Sequence, residues 1–82
     1  MSEVATSEEH AEFCERVKAR RKELGLTQVE MAEKLGMTQP AYAQVEVGTR
    51  APGFHVIYRV AAALETTVHD LLPVLTTGKR GK

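Results

Sequence analysis

The sequence predicts an all-α domain of five short helices. Three observations carry that expectation. Apolar residues recur at three- and four-residue spacing in one segment after another, and no stretch alternates as a strand does. Threonines with an acid three places on, Thr6/Glu9, Thr27/Glu30 and Thr67/Asp70, stand where helices would open. Gly25, Gly36, Gly48 and Pro73 stand where helices would close.

The first helix is expected from about Ser7 to about Leu24, with Phe13, Val17, Arg20 or Arg21, and Leu24 at helical spacing. Gly25 ends it, since glycine takes positive φ without steric cost, and Leu26 then packs inward. The second spans 28–35 and buries Met31, Ala32 and Leu35. Thr38 caps the third, 39–47, where Pro40 is tolerated because a first-turn amide has no helical partner. Tyr42, Val45 and Ala41 face its core side. The fourth, 54–64, places Phe54, Ile57, Ala61 and Leu64 on one face, and a short fifth covers 68–72. Residues 7–75 thus read as one folded unit, with a flexible segment at 1–6 and a basic flexible tail at 76–82.

Bulk properties exclude several classes. No apolar stretch is long enough to span a membrane. The acidic, polar N-terminus is the reverse of a secretory signal. A lone Cys14 fits a reducing cytoplasm, and with no thiolate-activating partner near it in sequence it reads as a small core filler. His10, His55 and His69 are not at ligand spacing, and no nucleophile–base pair, carboxylate pair or phosphate loop is present. The expectation is therefore no enzyme, metal, cofactor or small-molecule substrate.

Net charge is zero, yet the charges are sorted. Residues 1–15 hold five acids and no base, whereas Arg16, Lys18, Arg20, Arg21 and Lys22 form a run free of acids. Such runs are often only solvated surface, so distribution matters more than sum but decides little alone.

The second and third helices are more specific. They are short, amphipathic and joined by the tight Leu35-Gly36-Met37-Thr38 turn, the arrangement that props one helix in the major groove of DNA. If Tyr42, Val45 and Glu46 turn inward or sideways, Gln39, Pro40, Ala43, Gln44 and Val47 make one outward stripe with no charge. A solvated helix would normally carry Lys or Glu there, although Gln is also a good surface helix former. Ala43 permits close approach, and a Gln amide both gives to and takes from an adenine edge. Arg21 shares a face with Val17 and Leu24, where an unpaired charge is costly. Glu46, the sole acid of the third helix, is its natural partner.

In this order and spacing, Arg-Val-Lys-Ala-Arg-Arg-Lys-Glu-Leu-Gly-Leu-Thr-Gln, Met-Ala-Glu-Lys-Leu-Gly-Met-Thr-Gln, Gln-Val-Glu-Val-Gly, Ala-Pro, and Ala-Leu followed by Val-His-Asp-Leu-Leu resemble the Cro/C1-type (XRE), or lambda-repressor-like, helix-turn-helix regulators. The resemblance covers about Arg16 to Leu72 and implies a five-helix lambda-repressor-like DNA-binding domain. It implies that Gln28 holds a phosphate and buttresses the first base-reading residue. It also implies that Gln39 and Gln44 read base edges, that Thr38 caps near the backbone, that Arg50 contacts a phosphate, and that Arg21 and Glu46 form a buried ion pair. Arg20, with other bases of the first helix, is a further candidate phosphate contact. Pro40 stands where a polar reader is common and is left to touch a thymine methyl. Tyr42 replaces an aliphatic residue, Gly53 a capping serine, and Glu65 the glycine expected after the fourth helix.

One such helix reads few base pairs, which favours a homodimer on a two-fold, palindromic operator. With no second domain in this chain, the dimer is expected through helices four and five, using Val56, Val60, Leu72, Val74 and Leu75, with Tyr58 beside them. Alternatively, Val74 and Leu75 fold back on the core. The expected function is a sequence-specific transcriptional regulator in the cytoplasm. Two alternatives share the fold: an antitoxin that also binds a toxin protein, and a protein-interaction adaptor that has lost DNA binding. The adaptor should carry acids on the reading face, and none is present.

Overall fold

A computed structural model of the 82-residue chain describes residues 7–49 and 52–72. Five helices follow one another: α1 (Ser7–Glu23), α2 (Gln28–Leu35), α3 (Gln39–Val47), α4 (Phe54–Ala63) and α5 (Val68–Leu71). Among the described residues there is no strand. The expected Thr6 cap, Arg50, Pro73, Val74 and Leu75 lie outside the described residues, as do the segments 1–6 and 76–82.

Local chemistry explains the boundaries. Thr27 and Glu30 form a reciprocal box: the Glu30 amide donates to Thr27 Oγ1 at 3.0 Å, and the Thr27 amide donates to Glu30 Oε1 at 2.8 Å. Thr38 Oγ1 accepts from the Ala41 amide at 3.3 Å and opens α3. Thr67 Oγ1 accepts from the Asp70 amide at 3.1 Å, whereas the Asp70 carboxylate accepts from Thr66 instead of closing a box. Gly36 closes α2 with φ +70°, and its N–H reaches back to Ala32 and Glu33. A methyl group there would stand 3.7 Å from Arg59 Nη2, so the obstacle to a side chain is backbone conformation rather than space.

The core takes one stripe from each helix. Phe13, Cys14 and Val17 of α1 meet Met31, Ala32 and Leu35 of α2, Tyr42 and Val45 of α3, Val60 and Ala61 of α4 with Leu64 after it, and Leu71 of α5. Cys14 is a filler: its Sγ donates to the Val45 carbonyl at 3.2 Å, and burial, then Glu15, push its thiol pKa up.

Two expectations for α4 need correction. Val60, expected at a dimer surface, is fully buried. It lies one turn before Leu64 and beside Ala61, so it belongs to the inward stripe. Phe54, expected on one face with the buried Ala61 and Leu64, is 62% exposed. It is the first residue of α4, beyond the reach of the packed layer, and its ring stands edge-on to Tyr58 with centroids 5.1 Å apart. Val56 and Leu72 are half-buried against the core.

The turn after α4 keeps the expected shape at a cost. Glu65 takes φ +57°, a conformation that disfavours side chains other than glycine. The Glu65 amide donates to Ala62 at 3.1 Å and the Thr66 amide to Ala61 at 3.0 Å, which closes the helix.

Candidate nucleic-acid interface

The outward face of α3 is built from the inside. Tyr42 and Val45 sit in the core and Glu46 is 4% exposed, which fixes the rotation of the helix. Pro40, Gln44 and Val47 then face solvent, Val47 at 72% exposure, while Gln39 and Ala43 are half-buried. No charged side chain interrupts this face among the described residues.

Beneath it lies a buried polar cluster. Arg21 of α1 donates from Nε to Glu46 Oε2 at 2.6 Å and from Nη2 to Oε1 at 3.2 Å. Its Nη1 also donates to the Leu26 carbonyl at 2.7 Å. Tyr42 Oη donates to Glu46 Oε2 in a short bond. Gln28, first residue of α2, donates from Nε2 to Glu46 Oε1 at 3.0 Å. Gln39, first residue of α3, donates from its Nε2 to Gln28 Oε1 at 2.8 Å. The cluster therefore runs unbroken from α1 through the core to the half-buried start of α3.

Its electrostatics follow from that geometry. Burial alone would push the Glu46 carboxyl up, but hydrogen bonds from Arg21, Tyr42 and Gln28 outweigh it, and the group ends below the ordinary carboxylate value. The bond to Glu46 raises the Arg21 pKa. Burial, then the bond to Glu46, push the Tyr42 hydroxyl far up, so it stays a donor.

Arg20 and Arg16 of α1 are engaged away from this face. Arg20, expected at a phosphate, instead donates from Nε to the Leu64 carbonyl at 3.0 Å, from Nη2 to Glu65 at 3.3 Å and from Nη1 to Glu23 at 3.1 Å. It satisfies the carbonyl end of α4, the same strained corner described above. The physical reason is phase: neighbouring residues of a helix point about 100° apart, so Arg21 faces α3 while Arg20 faces the α4–α5 corner. Arg16 binds Glu12 and the Asp70 carbonyl, both at 3.0 Å.

The sequence reading missed three features. Tyr42 and Glu46 are four apart on one helix, a spacing that brings side chains together, and that signal was available. The Gln28–Glu46 bond and the Arg20 bonds to the Leu64 and Glu65 carbonyls join residues 18 or more apart in sequence, and no local pattern announces them.

The helix-turn-helix (HTH_3) family model matches residues 17–71. An uncharacterized HTH-type transcriptional regulator, YqaE of Bacillus subtilis (strain 168), is 40% identical over 60 residues, which is 73% of this chain and 52% of that protein. An uncharacterized HTH-type transcriptional regulator of Methanothermobacter thermautotrophicus is 42% identical over 48 residues, 58% of this chain and 70% of that one. The chain thus spans about half the length of the Bacillus relative. Among solved structures, an HTH_3 family transcriptional regulator from Vibrio cholerae superposes with a TM-score of 0.71 at 22% identity, over 78% of this chain and 36% of that one. FeII HppE in complex with substrate superposes with a TM-score of 0.72 at 28% identity, again over 78% of this chain and 36% of that one. The likeness to the enzyme thus involves about a third of its chain. The turn between α2 and α3, the buried Arg21–Glu46 pair and the uncharged outer face of α3 occupy the matched span, and this chain belongs to the helix-turn-helix family, of the Cro/C1 type that its sequence resembles.

Proposed function

We propose that the chain is a sequence-specific DNA-binding transcriptional regulator that places α3 in the major groove of a palindromic operator as a homodimer. The observation that carries this reading is the outer face of α3: charge-free, with small Ala43 at its middle and Gln39 tethered at its start by Gln28. Gln39 and Gln44 then read base edges, and Ala43 allows the backbone close to them. Pro40 stands beside them as an apolar contact. Gln28 and Arg50 position the DNA backbone, and Thr38 holds the first turn of α3 in place. Arg20, whose guanidinium is held at the end of α4, is left out of the proposed contacts.

One reading helix covers a handful of base pairs, and family members gain discrimination by pairing on two half-sites about one turn apart. With Val60 in the core, the apolar side chains that α4 offers to a second copy are Phe54 and Tyr58. Among the described residues, no helix is long and apolar enough to cross a membrane, and no group of three or more His, Cys, Asp or Glu side chains is arranged to hold a metal.

The test is capture of sheared source DNA by purified protein at about 0.15 M salt, with sequencing of the retained fraction. Enrichment of a short palindrome supports the reading. No enrichment by folded protein overturns it and moves the weight to a protein partner.

A further inference from the structure

We propose that Glu46, buried and out of reach of any ligand, is a positioning residue that sets which atoms Gln39 offers to a base, with the Tyr42 hydroxyl holding it in that role. The inference rests on the proposed reading of DNA by α3.

A carboxylate only accepts hydrogen bonds. Each Glu46 oxygen takes two donors: Arg21 Nε and Tyr42 Oη on Oε2, Arg21 Nη2 and Gln28 Nε2 on Oε1. The Gln28 amide therefore has one orientation, nitrogen toward Glu46. With the nitrogen held there, its oxygen is the atom turned toward Gln39, which presents Nε2 to it. Gln39 is left with one free N–H and its amide oxygen, in a fixed order. A polarity that starts at the buried carboxylate thus ends at the reading side chain.

That order matters to a base. The free N–H suits N7 of either purine, but the amide oxygen meets a donor on adenine and an acceptor on guanine. An untethered glutamine can turn over and loses part of this choice. Tyr42 enters because Arg21 by itself binds both carboxylate oxygens. Without the hydroxyl, Oε2 loses a donor and the carboxylate can turn away from Gln28. Tyr42 stands where the resembled family has an aliphatic residue, which has no hydroxyl to play this part.

The experiment compares parent, Gln39→Ala, Glu46→Gln and Tyr42→Phe on two duplexes, the recovered operator and the same operator with guanine replacing the adenine whose preference Gln39→Ala abolishes. The parent should prefer adenine by about tenfold. Glu46→Gln should lose most of that ratio and Tyr42→Phe a smaller part. A purely structural role would weaken both duplexes alike and keep the ratio; parental ratios in both variants, with loss in Gln39→Ala, overturn the inference and leave the proposed function standing. Tyr42→Phe keeps the ring in the core and carries the test if Glu46→Gln does not fold. If the parent shows no preference among duplexes, the proposed function fails instead. The side-chain amide signals of Gln28 and Gln39 in DNA-free protein then decide separately: shifted and slowly exchanging in the parent and free-like in Tyr42→Phe supports the relay, and unchanged signals overturn it.

Discussion

Arg21 and Glu46 form a two-pronged ion pair, 2.6 Å at its closer contact, between α1 and α3 with both side chains nearly inaccessible. Removing one partner strands a buried charge. Arg21→Ala or Glu46→Ala should cost about 3–5 kcal/mol, measured by urea unfolding. A double replacement by apolar residues of similar volume should recover much of this. A loss under about 1 kcal/mol would show that the pair is solvated.

The same cluster shapes stability against pH. The folded Glu46 pKa lies below its ordinary value of about 4.3, so its contribution is complete above that value and is lost as pH falls toward the folded one. The folded Tyr42 pKa lies above its ordinary value of about 10, so its contribution is complete below that pH and is lost as pH rises past it. Stability should therefore be flat between about pH 5 and pH 10 as far as these two groups decide it. In Tyr42→Phe the alkaline fall should shrink, and an identical alkaline limb in parent and variant would remove Tyr42 from the account.

Glu65 holds positive φ without being glycine. Glu65→Gly should raise unfolding stability by about 1 kcal/mol, because the left-handed cost of a Cβ disappears while the Arg20 bond to the backbone carbonyl stays. A melting temperature at or below the parental value would contradict this.

Two arginines should separate cleanly in DNA binding. Arg50→Ala should weaken all sequences and flatten the dependence of log affinity on log salt by about one unit per lost contact. Arg20→Ala should leave that slope unchanged and instead lower stability by about 1–3 kcal/mol through the freed carbonyls of Leu64 and Glu65. Gln44→Ala should cost about 1–3 kcal/mol on the preferred site and relax specificity there. An unchanged preference would remove Gln44 from the reading face.

On α4 the proposed dimer is tested by contrast. Tyr58→Glu should keep the fold and halve the mass in solution at micromolar concentration, whereas Val60→Glu should prevent folding by burying a lone charge. A Tyr58→Glu protein of parental mass would place the two-fold contact elsewhere.

The five helices, the threonine caps of α2, α3 and α5 and the inward Met31, Ala32, Leu35, Tyr42 and Val45 were legible from periodicity and capping chemistry, because those depend on residues within one turn of each other. The Arg21–Glu46 pair was legible too, since an arginine on an apolar face demands an acid and α3 has one. Tertiary packing decided the rest. Whether Val60 or Phe54 met the core depended on where α4 ran over its neighbours, not on its own period. That the adjacent Arg20 is structural as well could not be read locally, because the Leu64 and Glu65 carbonyls it satisfies lie in a distant turn. The chain from Glu46 through Gln28 to Gln39 exists only once α2 and α3 are packed together, since hydrogen-bond order is a property of neighbours in space rather than in sequence.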